Sequence, residues 1–307
     1  MRTRILAEDE QLLVCLKPAG LAIQSARPGE TDMESELRNY LATAERKRAA
    51  SDVRNGQGKA PGGGRKPPYL GLIHRLDQPV SGILVFAKTP EAAAALSRQA
   101  SGADSDGKSS GRRMGKKHPM GKKHPMGKEN PAEKERPVKR ELRMEKEYRA
   151  LVYLEEGASL PEPGTERELV DFLKKEPGKN ISCVAGAGTP GAKRASLSFR
   201  VAEPPGSPES RHACVAVRLR TGRHHQIRVQ LAHAGLPLLG DARYGSEESR
   251  EYSARLGIRS VCLCACRLSF FHPATGERME FETTEYPWAD IRMKKDGGET
   301  GLTEGGV

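Results

Sequence analysis

PYLGLIHRLDQPVSGILVFAKT, residues 68–89, is the most informative segment of this 307-residue chain. Residues 82–88 are rich in β-branched and aromatic side chains and are bounded by turn residues, which predicts a strand. Thr89 caps the helix that follows, with Pro90 at its first position and EAAAALSRQA as its body. The charged residues of HRLD, 74–77, come immediately before the strand, at a place where a rigid scaffold presents reactive groups.

The N-terminal part of the chain predicts two strands and one helix. The strands are Ile5–Ala7 and Leu12–Leu16, and the turn signal KPAG follows the second. The helix begins at Thr31, where TDME fits a capping box and apolar residues then recur at helical spacing. Residues 46–67 are polar and Gly-rich, and they predict a loop.

The C-terminal part is dominated by predicted strands. EKEYRALVYLEE, ELVDFL, ASLSFRVAE and ACVAVRLR follow one another with polar linkers, which suits an antiparallel meander. HHQIRVQLAHAG has helical periodicity and stops at Gly235, and CLCACRLSF and RMEFET close as strands. The predicted fold class is therefore α+β, with a mixed, largely antiparallel sheet flanked by helices, in one domain over residues 1–290.

The net charge of +11 points to a polyanionic partner, but most of that charge belongs to one segment. Residues 108–143 hold 13 Lys or Arg and 4 Asp or Glu, so 13 − 4 = +9, which leaves +2 for the rest of the chain. The same region contains the repeat MGKKHP-MGKKHP-MGK. Residues 101–143 are therefore predicted to be a disordered, low-complexity basic insert, and residues 291–307 a flexible tail.

The sequence predicts no signal peptide and no membrane span, so we expect a cytoplasmic protein with reduced cysteines. Cys262, Cys264 and Cys266 alternate along a predicted strand and so share one of its faces. A zinc site would need further ligands, and only His272 lies nearby in sequence. Small buried side chains are the favoured interpretation of the three cysteines.

Three segments combine charged or aromatic residues with glycines or strand ends: HRLD, KEY at residues 146–148 and RTGRHHQIR at residues 220–228. Each has an ordinary structural explanation when it is taken alone. Asp77 and Arg75 would form a surface ion pair worth under ~1 kcal/mol. Tyr148 would be a half-buried strand tyrosine, and the arginines of the third segment would lie on a solvated helix face.

Taken together, five blocks resemble the RluA-type RNA pseudouridine synthases. HRLDQPVSGILVFAKT is similar to the family's HRLD signature, KPAGL at residues 17–21 to its first motif, and KEYRALV to its KxYxAxV segment. TGRHHQIRVQLAHAGLPLLGDARYG is similar to the third motif over its whole length, and LSFFHPATGERMEFE to the closing strand pair. The blocks occur in family order from about residue 5 to residue 288, with the insert between the second and third.

The chain also departs from the family pattern. Gln78 stands where Arg is common and Val80 where Thr is usual, so contacts beside the aspartate are expected to differ. Because the first family motif lies near the start of the sequence, we expect the chain to begin directly at the catalytic domain, without the small N-terminal RNA-binding domain that many relatives carry. Target recognition is then expected to fall to the catalytic domain and the basic insert.

The resemblance implies a uridine isomerase with a pseudouridine synthase catalytic fold and no need of a metal or cofactor. It assigns Asp77 as the carboxylate that attacks the sugar or otherwise assists departure of the base, and Arg228 as the cation that pairs with it. Replacement of Arg228 by Met is expected to leave the fold intact and to lower turnover. Tyr148 matches the active-site tyrosine, and its two candidate roles are stacking on the uracil and removal of the C5 proton.

The resemblance also implies a ribosomal or transfer RNA substrate, bound in a cleft of what is expected to be a monomer. Extrusion of the target base costs a few kcal/mol, and Arg75 of HRLD, with His74 beside it, is expected to contact the RNA there and fill the vacated space. Arg223 and His225 are candidate RNA contacts, with a structural hydrogen-bonding role as the alternative. Two other functions stay open: a catalytically silent RNA-binding or ribosome-assembly protein, and a hydrolase, which would need a second carboxylate.

Overall fold

The computed structural model describes residues 1–25, 27, 29–54, 67–101, 143–207 and 210–289. The predicted basic insert, apart from its end residues, and the predicted C-terminal tail lie outside these ranges, as does the second half of the predicted loop 46–67. None of the helices within the described ranges is both long enough and apolar enough to cross a bilayer.

The described residues form eleven strands in one sheet and four helices. The strands are β1 Arg4–Glu8, β2 Leu12–Lys17, β3 Gly71–Leu72, β4 Ser81–Ala87, β5 Glu145–Tyr153, β6 Arg167–Lys175, β7 Ser182–Ala185, β8 Lys193–Glu203, β9 His212–Leu219, β10 Leu263–Phe271 and β11 Arg278–Glu282. The helices are α1 Met33–Arg54, α2 Pro90–Ser101, α3 Gln226–His233 and α4 Glu247–Arg255. The sheet order is β1-β2-β4-β10-β5-β9-β8-β6-β7, with β3 also paired to β4 and β11 to β10. Among these strands only β4 and β10 pair in parallel, so the predicted α+β class with a mixed, largely antiparallel sheet is confirmed.

The predicted antiparallel meander is confirmed for three of its four strands, since β6, β8 and β9 are successive neighbours in the sheet, but it is wrong for β5. β5 pairs with β9 rather than with β6, and β8 lies between β9 and β6. β10 then returns to the centre of the sheet, between β4 and β5. Alternating hydrophobicity predicts that a strand exists but not which strand it pairs with, because pairing depends on contacts that are distant in sequence. The observed order brings the HRLD, KEY and RTGRHHQIR segments together at one cleft.

Helix α1 differs from its prediction at both ends. Asp32, rather than Thr31, provides the cap, because its Oδ1 accepts a hydrogen bond of 2.7 Å from the backbone N–H of Ser35. The helix then continues to Arg54, into the predicted loop. The run ERKRAASDVR is polar, but several of its residues are good helix formers, and a helix face toward solvent tolerates charge.

Of the other elements, helix α3 agrees with its prediction, whereas strand β7 and helix α4 were not predicted. α3 ends as predicted at Gly235, which has a φ of 74°, and the backbone N–H of Leu236 donates to the carbonyl of Leu231 at 2.9 Å. Strand β7 and helix α4 have no counterpart among the predicted elements. β7 is only four residues long and α4 is strongly polar, so neither produces a clear hydrophobic period.

The two faces of the central strands carry separate cores. Tyr148 belongs to the larger core, and Cys262, Cys264 and Cys266 belong to another, packed around the fully buried Trp288. The three thiols are buried and free, so the interpretation of these cysteines as small core residues is confirmed. Close packing also explains Gly82, since a Cβ at this position, where φ is 133°, would lie 2.5 Å from the backbone of β10.

Candidate active site

Asp77 lies in the loop between β3 and β4, and a buried lysine holds this loop. Lys17, whose side chain is buried, donates from Nζ to the carbonyls of Pro18 at 3.1 Å, Gln78 at 2.9 Å and Val80 at 2.6 Å. The backbone N–H of Val80 also donates to the carbonyl of Asp77 at 3.0 Å, which closes a turn. Burial lowers the pKa of Lys17 to about 7, against the attraction of the Asp77 carboxylate. The loop that carries Asp77 is therefore anchored to the end of β2.

Arg228, in α3, connects Asp77 to a second carboxylate. Its Nη1 donates to Asp77 Oδ2 at 3.1 Å, so the expected pairing of these two residues is present. Its Nε and Nη2 donate to the two oxygens of Asp241 at 2.7 and 2.8 Å. Burial disfavours the guanidinium charge, but the hydrogen bonds to Asp241 and the charge of Asp77 raise the pKa of Arg228 above its ordinary value. Asp241 is fully buried, whereas 27% of the Asp77 side chain is exposed.

His225 lies on the other side of the same carboxylate oxygen. Its Nε2 is 3.6 Å from Asp77 Oδ2, and its Nδ1 is 2.7 Å from the hydroxyl of Tyr244. Its ring stacks on His224 with 3.7 Å between the ring centroids. Burial lowers the pKa of His225 to about 4, although Asp77 attracts the charged form. The imidazole is therefore neutral near pH 7.

Tyr148, in β5, faces the larger core and lines the cleft that contains Asp77. Only 5% of the residue is exposed. Burial, with the negative charge of Asp77 as the next cause, raises the pKa of the Tyr148 phenol well above its ordinary value. The hydroxyl is therefore protonated in the unliganded protein.

The remaining predicted RNA contacts, Arg75, Arg223 and His74, differ in how far their side chains are exposed at the cleft. Arg75 is exposed at the cleft beside Asp77. Arg223 lines the cleft as well, and its Nε donates to the backbone carbonyl of Arg194 at 3.0 Å. Both ring nitrogens of His74 are shielded from solvent and have no hydrogen-bond partner among the described residues. Burial lowers the pKa of His74 well below its ordinary value, so this ring is neutral and offers RNA no exposed nitrogen in the described conformation.

The cleft around these residues is large and basic. It encloses about 2030 Å³ and is lined by twelve Lys or Arg and five Asp or Glu, a difference of +7. Without Arg143, which belongs to residues 108–143, the difference is 7 − 1 = +6, whereas the whole chain outside residues 108–143 has a net charge of only +2 by count. The positive charge of the described part of the chain is therefore concentrated at the cleft, which is the electrostatic pattern of a polyanion site.

Sequence interpretation did not single out three residues of this site, namely Lys17, Asp241 and Tyr244. All three lie within the quoted blocks, Lys17 in KPAGL and the other two in GDARYG. Motif spacing does not reveal that Asp241 folds back onto Arg228, because this contact depends on the turn that follows α3. No local signal identifies the pair, because the burial of both side chains becomes evident only in the folded chain.

Comparison with known proteins gives a consistent result. The family model described as RNA pseudouridylate synthase matches residues 11–106 and 132–233. The chain is 29% identical over 281 residues to "Ribosomal large subunit pseudouridine synthase D" of Zymomonas mobilis, covering 91% of this chain and 68% of that protein. It is 28% identical over 309 residues to the protein of the same name from Pseudomonas aeruginosa, covering 95% of this chain and 72% of the relative.

Solved structures agree at the level of the fold. "Human RNA Pseudouridylate Synthase Domain Containing 1" superposes with a TM-score of 0.57 at 18% identity, over 92% of this chain and 83% of that one. "Human RNA Pseudouridylate Synthase Domain Containing 4" gives a TM-score of 0.53 at 19% identity, over 92% and 88% of the two chains.

Proposed function

The chain belongs to the RNA pseudouridylate synthase family and isomerises uridine to pseudouridine in RNA, and from this premise we propose that its substrate is ribosomal RNA and that Asp77 is the catalytic carboxylate. One observation carries the assignment of Asp77. Arg228 holds one carboxylate oxygen, while the side chain stays open to a cleft with a large excess of positive charge.

The reaction breaks the bond between C1′ of the ribose and N1 of uracil, turns the base and joins C1′ to C5. C5 then loses its proton and N1 gains one, so the atoms balance without water, a metal or a redox partner. A single carboxylate is sufficient because the base never leaves the pocket. The proposal accordingly includes a monomeric enzyme that uses no cofactor.

The two oxygens of Asp77 have different surroundings. Arg228 Nη1 and His225 Nε2 both approach Oδ2, at 3.1 and 3.6 Å. Within the described part of the chain, no hydrogen bond is made to Oδ1. In the proposed mechanism Oδ1 is the atom that approaches the sugar, while Arg228 supplies the balancing positive charge.

Tyr148 is proposed to lie against the uracil face and to assist the late proton transfer from C5. Its ring provides the flat surface on which a base stacks. Because the buried phenol is protonated, it acts as a hydrogen-bond donor first and requires a partner to take its proton before it serves as a base.

Access of the uridine to Asp77 requires that the base leave its helical stack, at a cost of a few kcal/mol. Arg75 is proposed to occupy the vacated space, because it is exposed beside Asp77 and its planar guanidinium stacks on bases. Arg223 and the other cations of the cleft are proposed to hold the phosphates on either side.

The choice of ribosomal RNA is supported by the names of the relatives from Zymomonas mobilis and Pseudomonas aeruginosa, both large-subunit synthases. Transfer RNA is the alternative substrate. Asp241, the second carboxylate on Arg228, is fully buried and bonded through both oxygens, so it does not supply the water-activating carboxylate that a hydrolase would need.

Release of tritium from RNA labelled at C5 of uridine tests the proposal. The purified chain is incubated separately with large-subunit ribosomal RNA and with transfer RNA, both taken from cells that lack the gene. Release from ribosomal RNA is expected. Release from transfer RNA alone would change the substrate class, free uracil would indicate a hydrolase, and binding without release would indicate a catalytically silent RNA-binding protein.

A further inference from the structure

A chain of polar contacts runs from strand β7 to the carboxylate of Asp77. The backbone N–H of Ser182 donates to the hydroxyl oxygen of Tyr244 at 2.9 Å. That hydroxyl lies 2.7 Å from Nδ1 of His225, whose Nε2 lies 3.6 Å from Asp77 Oδ2. Strand β7, at the edge of the sheet, is thereby connected to the residue proposed to carry the chemistry.

The contacts favour one ring nitrogen of His225 as the carrier of its proton. The Tyr244 oxygen already accepts from Ser182, and its own proton needs an acceptor. Across the described residues, His225 Nδ1 is the only acceptor within hydrogen-bond distance of this hydroxyl. This arrangement favours Nδ1 as the acceptor, and a neutral imidazole with Nδ1 as acceptor carries its proton on Nε2, the nitrogen nearer to Asp77.

The backbone of His225 supports a functional placement of the ring. Its φ of 56° and ψ of 24° lie in the left-handed region, and it is the one described residue other than glycine with a positive φ. Residues in this region carry local strain that is concentrated at functional sites. The ring does not cap α3 by a side-chain hydrogen bond, although His225 occupies the N-cap position. Helix capping therefore does not explain why a histidine is placed there.

The charged groups around His225 favour its neutral form. Burial of the ring is the largest cause and opposes protonation. Asp77 attracts the charged form, whereas Arg228, His224 and Arg243 repel it, and the pKa of His225 falls to about 4. Around pH 7 the ring is therefore a neutral donor, and it contributes no net charge to the site.

We infer that His225 is a positioning residue. Its hydrogen bond with Tyr244 keeps the proton on Nε2, and from there the ring orients the Asp77 carboxylate together with Arg228. Oδ1 of Asp77 is then left free for the nucleotide. The inference rests on the proposed role of Asp77. The present distance of 3.6 Å between Nε2 and Oδ2 is longer than a hydrogen bond, and such contacts tighten when the substrate is bound.

The tautomer is measured directly by NMR of protein labelled with 15N at histidine, without RNA. At pH 7 the His225 signals, assigned by their loss in His225→Asn, are expected to show a protonated Nε2 and an unprotonated Nδ1. Tyr244→Phe removes the hydroxyl and is expected to give a mixture of both tautomers. A protonated Nδ1 in the wild type would overturn the inference, whatever the activity of the enzyme.

Two substitutions of His225 separate positioning from a structural role. The two replacements differ in backbone preference and in reach. Asn tolerates a positive φ, but its amide reaches only the position of Nδ1. Gln tolerates a positive φ less well, but its amide nitrogen reaches a position near Nε2. We therefore expect His225→Asn to be the more stable variant and His225→Gln the more active one.

At saturating RNA, tritium release by His225→Asn is expected to fall roughly tenfold to a hundredfold, the effect of one hydrogen bond to a charged group, with little change in KM. If turnover follows stability in the two variants, His225 has only a structural role. Absence of turnover in the wild type would instead contradict the proposed function, and the tautomer measurement would still decide the hydrogen-bond arrangement.

Discussion

The pair formed by Arg228 and Asp241 changes what replacement of Arg228 by Met should do. The two side chains are 5% and 0% exposed, so the substitution leaves the Asp241 carboxylate buried without a countercharge. Removal of one partner from a buried ion pair costs roughly 3–5 kcal/mol. For a chain of this size that corresponds to a decrease in Tm of about 6–20 °C. The sequence predicted that Arg228→Met leaves the fold intact. From the structure we expect instead that this variant is markedly destabilised.

A double-mutant cycle measures this interaction. Asp241→Asn keeps Oδ1, which also accepts from the backbone N–H groups of Arg243 and Tyr244 at 3.0 and 3.2 Å, but removes the charge. The double variant Arg228→Met/Asp241→Asn is expected to be more stable than the sum of the single effects predicts, by about 2–3 kcal/mol. Free energies of unfolding are obtained from urea titrations at pH 7.

The matched control is an exposed pair at the edge of the same cleft. Arg220 and Glu168 are 64% and 48% exposed, and their closest atoms are 3.8 Å apart. A cycle on this pair is expected to give a coupling under about 1 kcal/mol. If the effects of Arg228→Met and Asp241→Asn add within about 0.5 kcal/mol, the proposed interdependence of the two residues is refuted. Activity should stay low in the double variant, because Asp77 still lacks its cation.

Three further predictions concern the phenol, the buried imidazole and the insert. Tyr148→Phe is expected to bind RNA as the wild type does but to release the C5 proton more than tenfold more slowly at saturating RNA, and an unchanged release rate would leave only the stacking role. His225 takes up a proton near pH 6.5 in the unfolded chain but only near pH 4 in the folded chain. The free energy of unfolding should therefore fall as the pH is lowered from 6.5 to 4, by up to about 3 kcal/mol. The free energy of unfolding of His225→Asn, from urea titrations at pH 7 and pH 4.5, should lack this part of the pH dependence. An identical loss of stability in the variant and the wild type would contradict the prediction. Deletion of residues 101–143 should weaken RNA binding and reduce its salt dependence while turnover at saturating RNA is kept, and failure of the deleted chain to fold would contradict the predicted disorder.

Local patterns in the sequence predicted most elements of this fold but not their order in the sheet. The strand at residues 82–88 and the helix ending at Gly235 follow from propensity, hydrophobic period and turn chemistry, which act over a few residues. The insertion of β10 between β4 and β5 depends on contacts between segments more than a hundred residues apart, such as Ala265 with Gly82. No local period encodes such a pairing.

The site shows the same division between local and long-range information. The pairing of Asp77 with Arg228 was expected because the resemblance to a family carried it, and the structure contains the contact. The partners that hold those two residues, Lys17 and Asp241, become evident only when the chain is folded, because each acts through burial. His74 is the opposite case. The family motif made it a candidate RNA contact, but its ring nitrogens are shielded from solvent in the structure.

The most direct test of the account is the conversion of uridine by an Asp77→Asn variant. The side chain is partly exposed, so the neutral amide should be accommodated without loss of the fold, and RNA binding should persist. Asp171→Asn, a substitution outside the residues that line the cleft, is the matched control and should retain full activity. We expect no pseudouridine from Asp77→Asn and wild-type amounts from the control. Pseudouridine formed by Asp77→Asn at the wild-type rate would contradict the central role of this carboxylate.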